Sequence, residues 1–245
     1  MKTLLLSLFF CAATAWAQLG DSRQLIFSIG PEWNSKQGTM MLMEEVEPGH
    51  WELAAPSWRV VYGDSGMAWG LGLHPAPKSD TLFKHEGDRR SPAGIFELGT
   101  FCGYDSAAPA GVRYPYVQSV KTTRWVDDPQ SPYYNTMIDE KKVPKKLKGK
   151  VQWRSAERMK FDGIDYKYVI FVKHNPDRIP GKGSAIFLHL NSPQRTPTAG
   201  CTAMDEANML TLLRWLDPAK KPLLVQLPLS ELGTYTKPWG LPYLP

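Results

Sequence analysis

From Gln24 to Asn191 the apolar residues come in short runs and alternations, cut by Gly, Pro, Asn and Asp. Helix spacing appears only after Cys201, and that switch constrains the fold more than any other feature. Alternation puts successive side chains on opposite faces, which suits half-buried strands, whereas helix spacing wraps one face. QLIFSIG (24 to 30), GTMMLMEEVE (38 to 47) and HWELAA (50 to 55) read as strands, separated by turn-rich PEWNSKQG and EPG. SWRVVYGDSG and RSPAGIFELGTF continue the series, and YKYVIFVKHN (166 to 175) and SAIFLHLN (184 to 191) flank the turn-forming PDRIPGKG as expected antiparallel neighbours. Residues 104 to 150 are irregular, and SAERM (155 to 159) reads as one or two helical turns. Met209, Leu210, Leu212, Leu213 and Leu216 then trace a helix face, with Asp205 as N-cap and Asp217-Pro218 as the stop. PLLVQLP (222 to 228) is a last short strand. The expected fold class is mainly β, with one helix following the Cys201 loop.

The N-terminal stretch suggests processing. MKTLLLSLFFCAATAWAQ has a positive start, a short apolar run and the small-x-small site Ala15-Trp16-Ala17, the pattern of a secretory signal peptide over residues 1–17. The run is too short for a membrane span, which needs about 20 residues. No transmembrane segment is expected after cleavage. The body, residues 18–230, reads as one domain, and residues 231–245 as a Pro-rich tail along the surface. Losing Lys2 leaves 28 basic against 24 acidic residues, a net charge of +4. Much of the excess lies in EKKVPKKLKGK (140 to 150), where no aromatic residue interleaves with the lysines. That run reads as a solvated loop or a contact for an anionic wall polymer. In an exported chain that composition is a weak nucleic-acid signal, and no nucleic acid is expected as a partner.

Two cysteines remain after cleavage, Cys102 and Cys201. Cys102, in GTFCGY, reads as a small buried hydrophobe. Cys201 follows Ala199 and Gly200 and precedes the helix. It is open to four readings: buried spectator, disulfide partner, metal ligand or nucleophile. A nucleophilic cysteine needs a base, nearby positive dipoles and access. The helix starting near Asp205 is expected to aim its dipole at the Cys201 loop. Backbone N–H groups around Thr198, Gly200 and Thr202 are the candidate oxyanion donors. His189, at the end of a strand and twelve positions before Cys201, is the candidate base. His174, ending the preceding strand, is a candidate substrate-binding residue. Zinc through His174, His189 and Cys201 lacks a fourth ligand at any recognised spacing. No metal or other cofactor is expected.

Three stretches in this order, SPAGIFELG (91 to 99), GSAIFLHLN (183 to 191) and TAGCTAM (198 to 204), resemble the L,D-transpeptidase catalytic domain family, also called YkuD-like. Ser91-Pro92-Ala93-Gly94-Ile95-Phe96 is similar to the family's Thr-Pro-x-Gly-x-Phe, His189 to its strand histidine, and Thr198-Ala199-Gly200-Cys201 to its Ser/Thr-x-Gly-Cys. The resemblance implies a β-sandwich-like domain acting on peptidoglycan stem peptides in the bacterial periplasm or cell wall. It implies a Cys201 thioester, formed with His189 as general base and loss of D-alanine, then resolved by an amine of another stem. A monomer is expected.

The sequence departs from the family pattern at three points, one being a His189-to-Cys201 spacing shorter than in many members. Ala199 stands where many members have His, and Ala203 where many have an Arg that engages substrate carboxylate. Arg195, in the loop between His189 and Cys201, is the candidate substitute for that charge. Cys-Thr-Ala-Met also resembles a branch that hydrolyses rather than joins, so a cysteine amidase is the alternative activity. Two further classes remain open: a non-catalytic wall-binding protein using Trp125, Tyr133 and Tyr134 with the lysine run, and a domain stapled by Cys102–Cys201.

Overall fold

The computed structural model describes residues 19–75, 77, 81–192 and 196–244. The expected signal peptide and Arg195 lie outside them. The first strands are β1 (Gln24–Gly30), β2 (Gln37–Glu47), β3 (His50–Leu53), β4 (Trp58–Val61), β5 (Met67–Trp69) and the long β6 (Ser91–Gly103). Short strands follow: β7 (Tyr116–Gln118), β8 (Thr123–Val126), β9 (Thr136–Asp139), β10 (Lys146–Leu147), β11 (Lys150–Val151) and β12 (Ala156–Arg158). Then come β13 (Tyr168–Val172), β14 (Phe187–Leu190), β15 (Thr202–Met204), α1 (Glu206–Trp215), β16 (Leu223–Pro228) and α2 (Leu229–Trp239). The chain is mainly β, as its periodicity requires.

The main sheet runs β1-β16-β6-β13-β14-β15-β4-β2-β3, and β1 also pairs with β2. That extra pairing closes eight of the strands into a ring around the main core. β1 is buried along its whole length and reads QLIFSIG, with few polar interruptions, because it is covered on both faces. α1 packs Met209, Leu212 and Leu213 into the same core. A separate three-stranded sheet, β12-β8-β9, stands beside the ring. Between the two, a smaller cluster joins Cys102, Trp125, Met159, Tyr166, Val169, Phe187 and Cys201.

Several expectations are corrected. SAERM is not helical: Ala156, Glu157 and Arg158 pair with Val126, Trp125 and Arg124, so strand pairing overrides a weak local helix preference. The tail does not simply follow the surface. Residues 229–239 form α2, and Trp239 is buried against Trp69, His74 and Tyr235. Trp125 and Tyr134 are buried too, which removes two of the three rings from the supposed wall-binding face. Trp125 lies 4.2 Å from Phe171, centroid to centroid. The lysine run folds as the exposed β10–β11 hairpin. Asp205 sits at the N-cap of α1 but makes no side-chain capping bond.

Candidate active site

Cys201 immediately precedes β15, whose partner β14 carries His189. The two strands are parallel, with Leu188 opposite Thr202 and His189 opposite Ala203. Side chains alternate between faces, so Cys201 shares the face of Ala203 and is the diagonal neighbour of His189. Both residues line one cavity of about 370 Å³. Its walls also include the basic Lys84 and Arg89 and the acidic Glu86, Asp127 and Glu157. Asp127 and Glu157 come from the β12-β8-β9 sheet and its edge, so that sheet helps to enclose the thiol.

The loop carrying Cys201 is held by hydroxyls. The Cys201 carbonyl accepts from Thr198 Oγ1 at 2.7 Å and from Ser91 Oγ at 2.9 Å. Ser91 Oγ in turn accepts from the Gly63 N–H at 3.0 Å. Gly200 adopts φ of 144°, where a side chain would be strained, and a Cβ there would sit 3.0 Å from the Arg90 carbonyl. Two of the expected oxyanion donors are otherwise engaged. The Gly200 N–H donates to Thr198 Oγ1 and the Thr198 N–H to the Tyr62 carbonyl, both at 3.1 Å. Thr202 belongs to the β15 ladder, and its hydroxyl donates to Gln226 Oε1 at 2.7 Å. The Cys201 N–H itself meets no hydrogen-bond acceptor among the described residues, which makes it the available donor at this point.

The electrostatics differ from the helix-dipole expectation. β15 lies between Cys201 and α1, so the first helical residue, Glu206, is five positions away. At about 3.3 Å per extended residue this is roughly 16 Å of chain, and a helix dipole fades within its first turn. Burial pushes the Cys201 thiol up to about 12, with Glu157 adding to the rise. The Phe187 N–H and Lys84 pull in the opposite direction. Cys201 is therefore a neutral thiol, and Sγ–H donates to the Ala185 carbonyl at 3.4 Å. Thiolate chemistry here requires a base. His189 Nδ1 lies 2.7 Å from the Leu190 carbonyl. Since a carbonyl only accepts, Nδ1 carries the proton and Nε2 is the basic nitrogen. The Tyr166 ring packs edge-on to the imidazole at 5.5 Å.

His174 does not join this site. It is 1% exposed; Nδ1 accepts from the Leu71 N–H at 3.1 Å and Nε2 donates to the Lys182 carbonyl at 2.9 Å. Its role as a substrate-binding residue is corrected to that of a core residue, packed against Phe96. Cys102 and Cys201 are both free thiols. Sequence reasoning missed the bridging role of Ser91, although it quoted the stretch that contains it, and it missed Lys84 altogether. Gly94 in that stretch has φ of 139°, and a Cβ there would lie 1.9 Å from the His74 ring, so the glycine makes room for a core histidine.

The family model described as the L,D-transpeptidase catalytic domain (YkuD) matches residues 35–225, which include His189 and Cys201. No curated protein and no solved structure matches the chain.

Proposed function

The chain belongs to the L,D-transpeptidase catalytic domain family, and we propose that it is a peptidoglycan L,D-transpeptidase working through a thioester on Cys201. The observation that carries this reading is the pairing of β14 with β15, which sets His189 and Cys201 on one face of one cavity. Substrate enters beside the neutral thiol, and Sγ turns from the Ala185 carbonyl toward His189. Nε2 takes the thiol proton as sulfur attacks the carbonyl that precedes the terminal D-residue. The Cys201 N–H holds the oxyanion. The C–N bond then breaks, and His189 returns the proton to the leaving amine.

An amine of a second stem attacks the thioester in turn. His189 accepts its proton and hands it to the departing sulfur, so the enzyme is restored and a new amide remains. The site of action is the periplasm or cell wall, reached by the N-terminal signal. Digestion of purified muropeptides with wild-type and Cys201→Ala protein tests the reading. New 3–3 dimers that depend on Cys201 support it. Trimmed stems or released protein remnants without dimers assign the hydrolase outcome instead.

A further inference from the structure

Ala203 is fully buried in the β-ladder and leaves the site without the guanidinium that many members place there. Another cation lines the same cavity. The Lys84 side chain is only 3% exposed, a rare position for an ammonium. Its Nζ donates to Asp88 Oδ1 at 2.8 Å and to the Arg90 carbonyl at 2.7 Å. It lies 3.4 Å from the place a Gly200 Cβ would occupy, next to the nucleophile's own peptide. An ammonium has three donors, and two are used. Among the described residues the third has no acceptor, and Lys84 faces the cavity that holds Cys201.

Asp88 does not cancel this cation completely. Its Oδ1 also accepts from the Arg90 N–H and its Oδ2 from the His85 N–H, both at 2.9 Å. The carboxylate is thus the bracket of the turn from Lys84 to Arg90, its negative charge spread over two backbone donors as well as the lysine. Arg89, at the cavity rim, is a weaker candidate. Its side chain is 57% exposed and its guanidinium pairs with Asp64 at 3.1 Å. A buried donor left with one unmade bond costs free energy, and an incoming anion removes that cost.

We propose that Lys84 is a specificity-determining residue that receives the free carboxylate of the donor peptide through its third N–H. This rests on the thioester reading for the identity of the donor. The cation that selects a donor with a free C-terminus comes from the β5–β6 connection rather than from the strand after the nucleophile.

The test uses a stem tetrapeptide ending in D-alanine, as the free acid and as the C-terminal amide. Acylation of Cys201 is followed by mass in wild type, Lys84→Arg and the double variant K84M/D88N. The double variant avoids leaving Asp88 buried and unpaired, and an acid-to-amide ratio from one sample is independent of its folded fraction. Wild type and Lys84→Arg are expected to prefer the acid by at least about tenfold, the worth of a charge-assisted bond. K84M/D88N is expected to bring the ratio to near one. An unchanged ratio in K84M/D88N, no preference in wild type, or equal loss on both peptides overturns the proposal. The same peptides are titrated against Cys201→Ala with and without K84M/D88N. Absence of any acyl-enzyme in wild type counts against the thioester reading. Equal binding of acid and amide to Cys201→Ala counts against Lys84.

Discussion

Ser91→Ala isolates the bracket that holds the nucleophile loop. Ser91 is fully buried, and its hydroxyl receives the Gly63 N–H and donates to the Cys201 carbonyl. Alanine keeps the backbone of β6 but leaves the Gly63 N–H without that acceptor. The Cys201 carbonyl retains Thr198 Oγ1, so its loss is the smaller one. A buried hydrogen bond contributes about 1 kcal/mol net, and a buried donor stripped of its partner costs about 1–3 kcal/mol. The expected destabilisation is about 2–4 kcal/mol. In a domain of this size that corresponds to a fall in Tm of roughly 5–15 °C. Urea titration gives the free energy, with an unchanged slope showing that the unfolded state is not the cause. The acyl-enzyme should also form more slowly at temperatures where Ser91→Ala is still folded, because the loop bearing Cys201 is less restrained. A loss below about 0.5 kcal/mol with normal acylation would refute the bracket, since it would mean that neither bond contributes.

Three further outcomes follow from burial. The folded Cys201 thiol stays protonated up to about 12, whereas an unfolded thiol ionises near pH 8.5, so the unfolded state binds fewer protons in that interval. Stability therefore falls as pH rises through it; urea titrations should show wild type losing about 2 kcal/mol relative to Cys201→Ala between pH ~7.5 and ~10. Burial depresses His74 to about 4 and His174 to about 3. The unfolded state binds more protons below about pH 6.5, so stability present above that value is lost on acidification, by about 2 kcal/mol per histidine down to pH ~5 in the same titration. Trp239→Ala removes a fully buried ring from the main core and should cost about 3–5 kcal/mol by thermal or urea unfolding, whereas a tail lying on the surface would cost almost nothing.

The strands of the ring were legible because alternation and turn residues mark them locally. QLIFSIG became β1 with the same ends, and the two strands around PDRIPGKG pair as antiparallel neighbours. His189 and Cys201 were legible as candidates because each stands beside a strand end. Their shared face was not, because it depends on parallel pairing across a crossover. SAERM failed for the same reason: strand partners thirty residues away outweigh a local preference. The tail failed because Pro238 inside α2 masks a helix that Trp239 anchors from the core side. The α1 dipole does not reach the thiol, since a three-residue strand stands between them. Ser91 and Lys84 stand 110 and 117 positions from Cys201, and no local signal marks them.

The most direct test of the account is peptide-mapped mass spectrometry of the protein after brief exposure to a stem tetrapeptide. The account predicts an adduct on Cys201 equal to the donor less its terminal D-residue, absent from Cys201→Ala and strongly slowed in His189→Ala. An adduct at any other residue, or acylation that proceeds unchanged without His189, contradicts it.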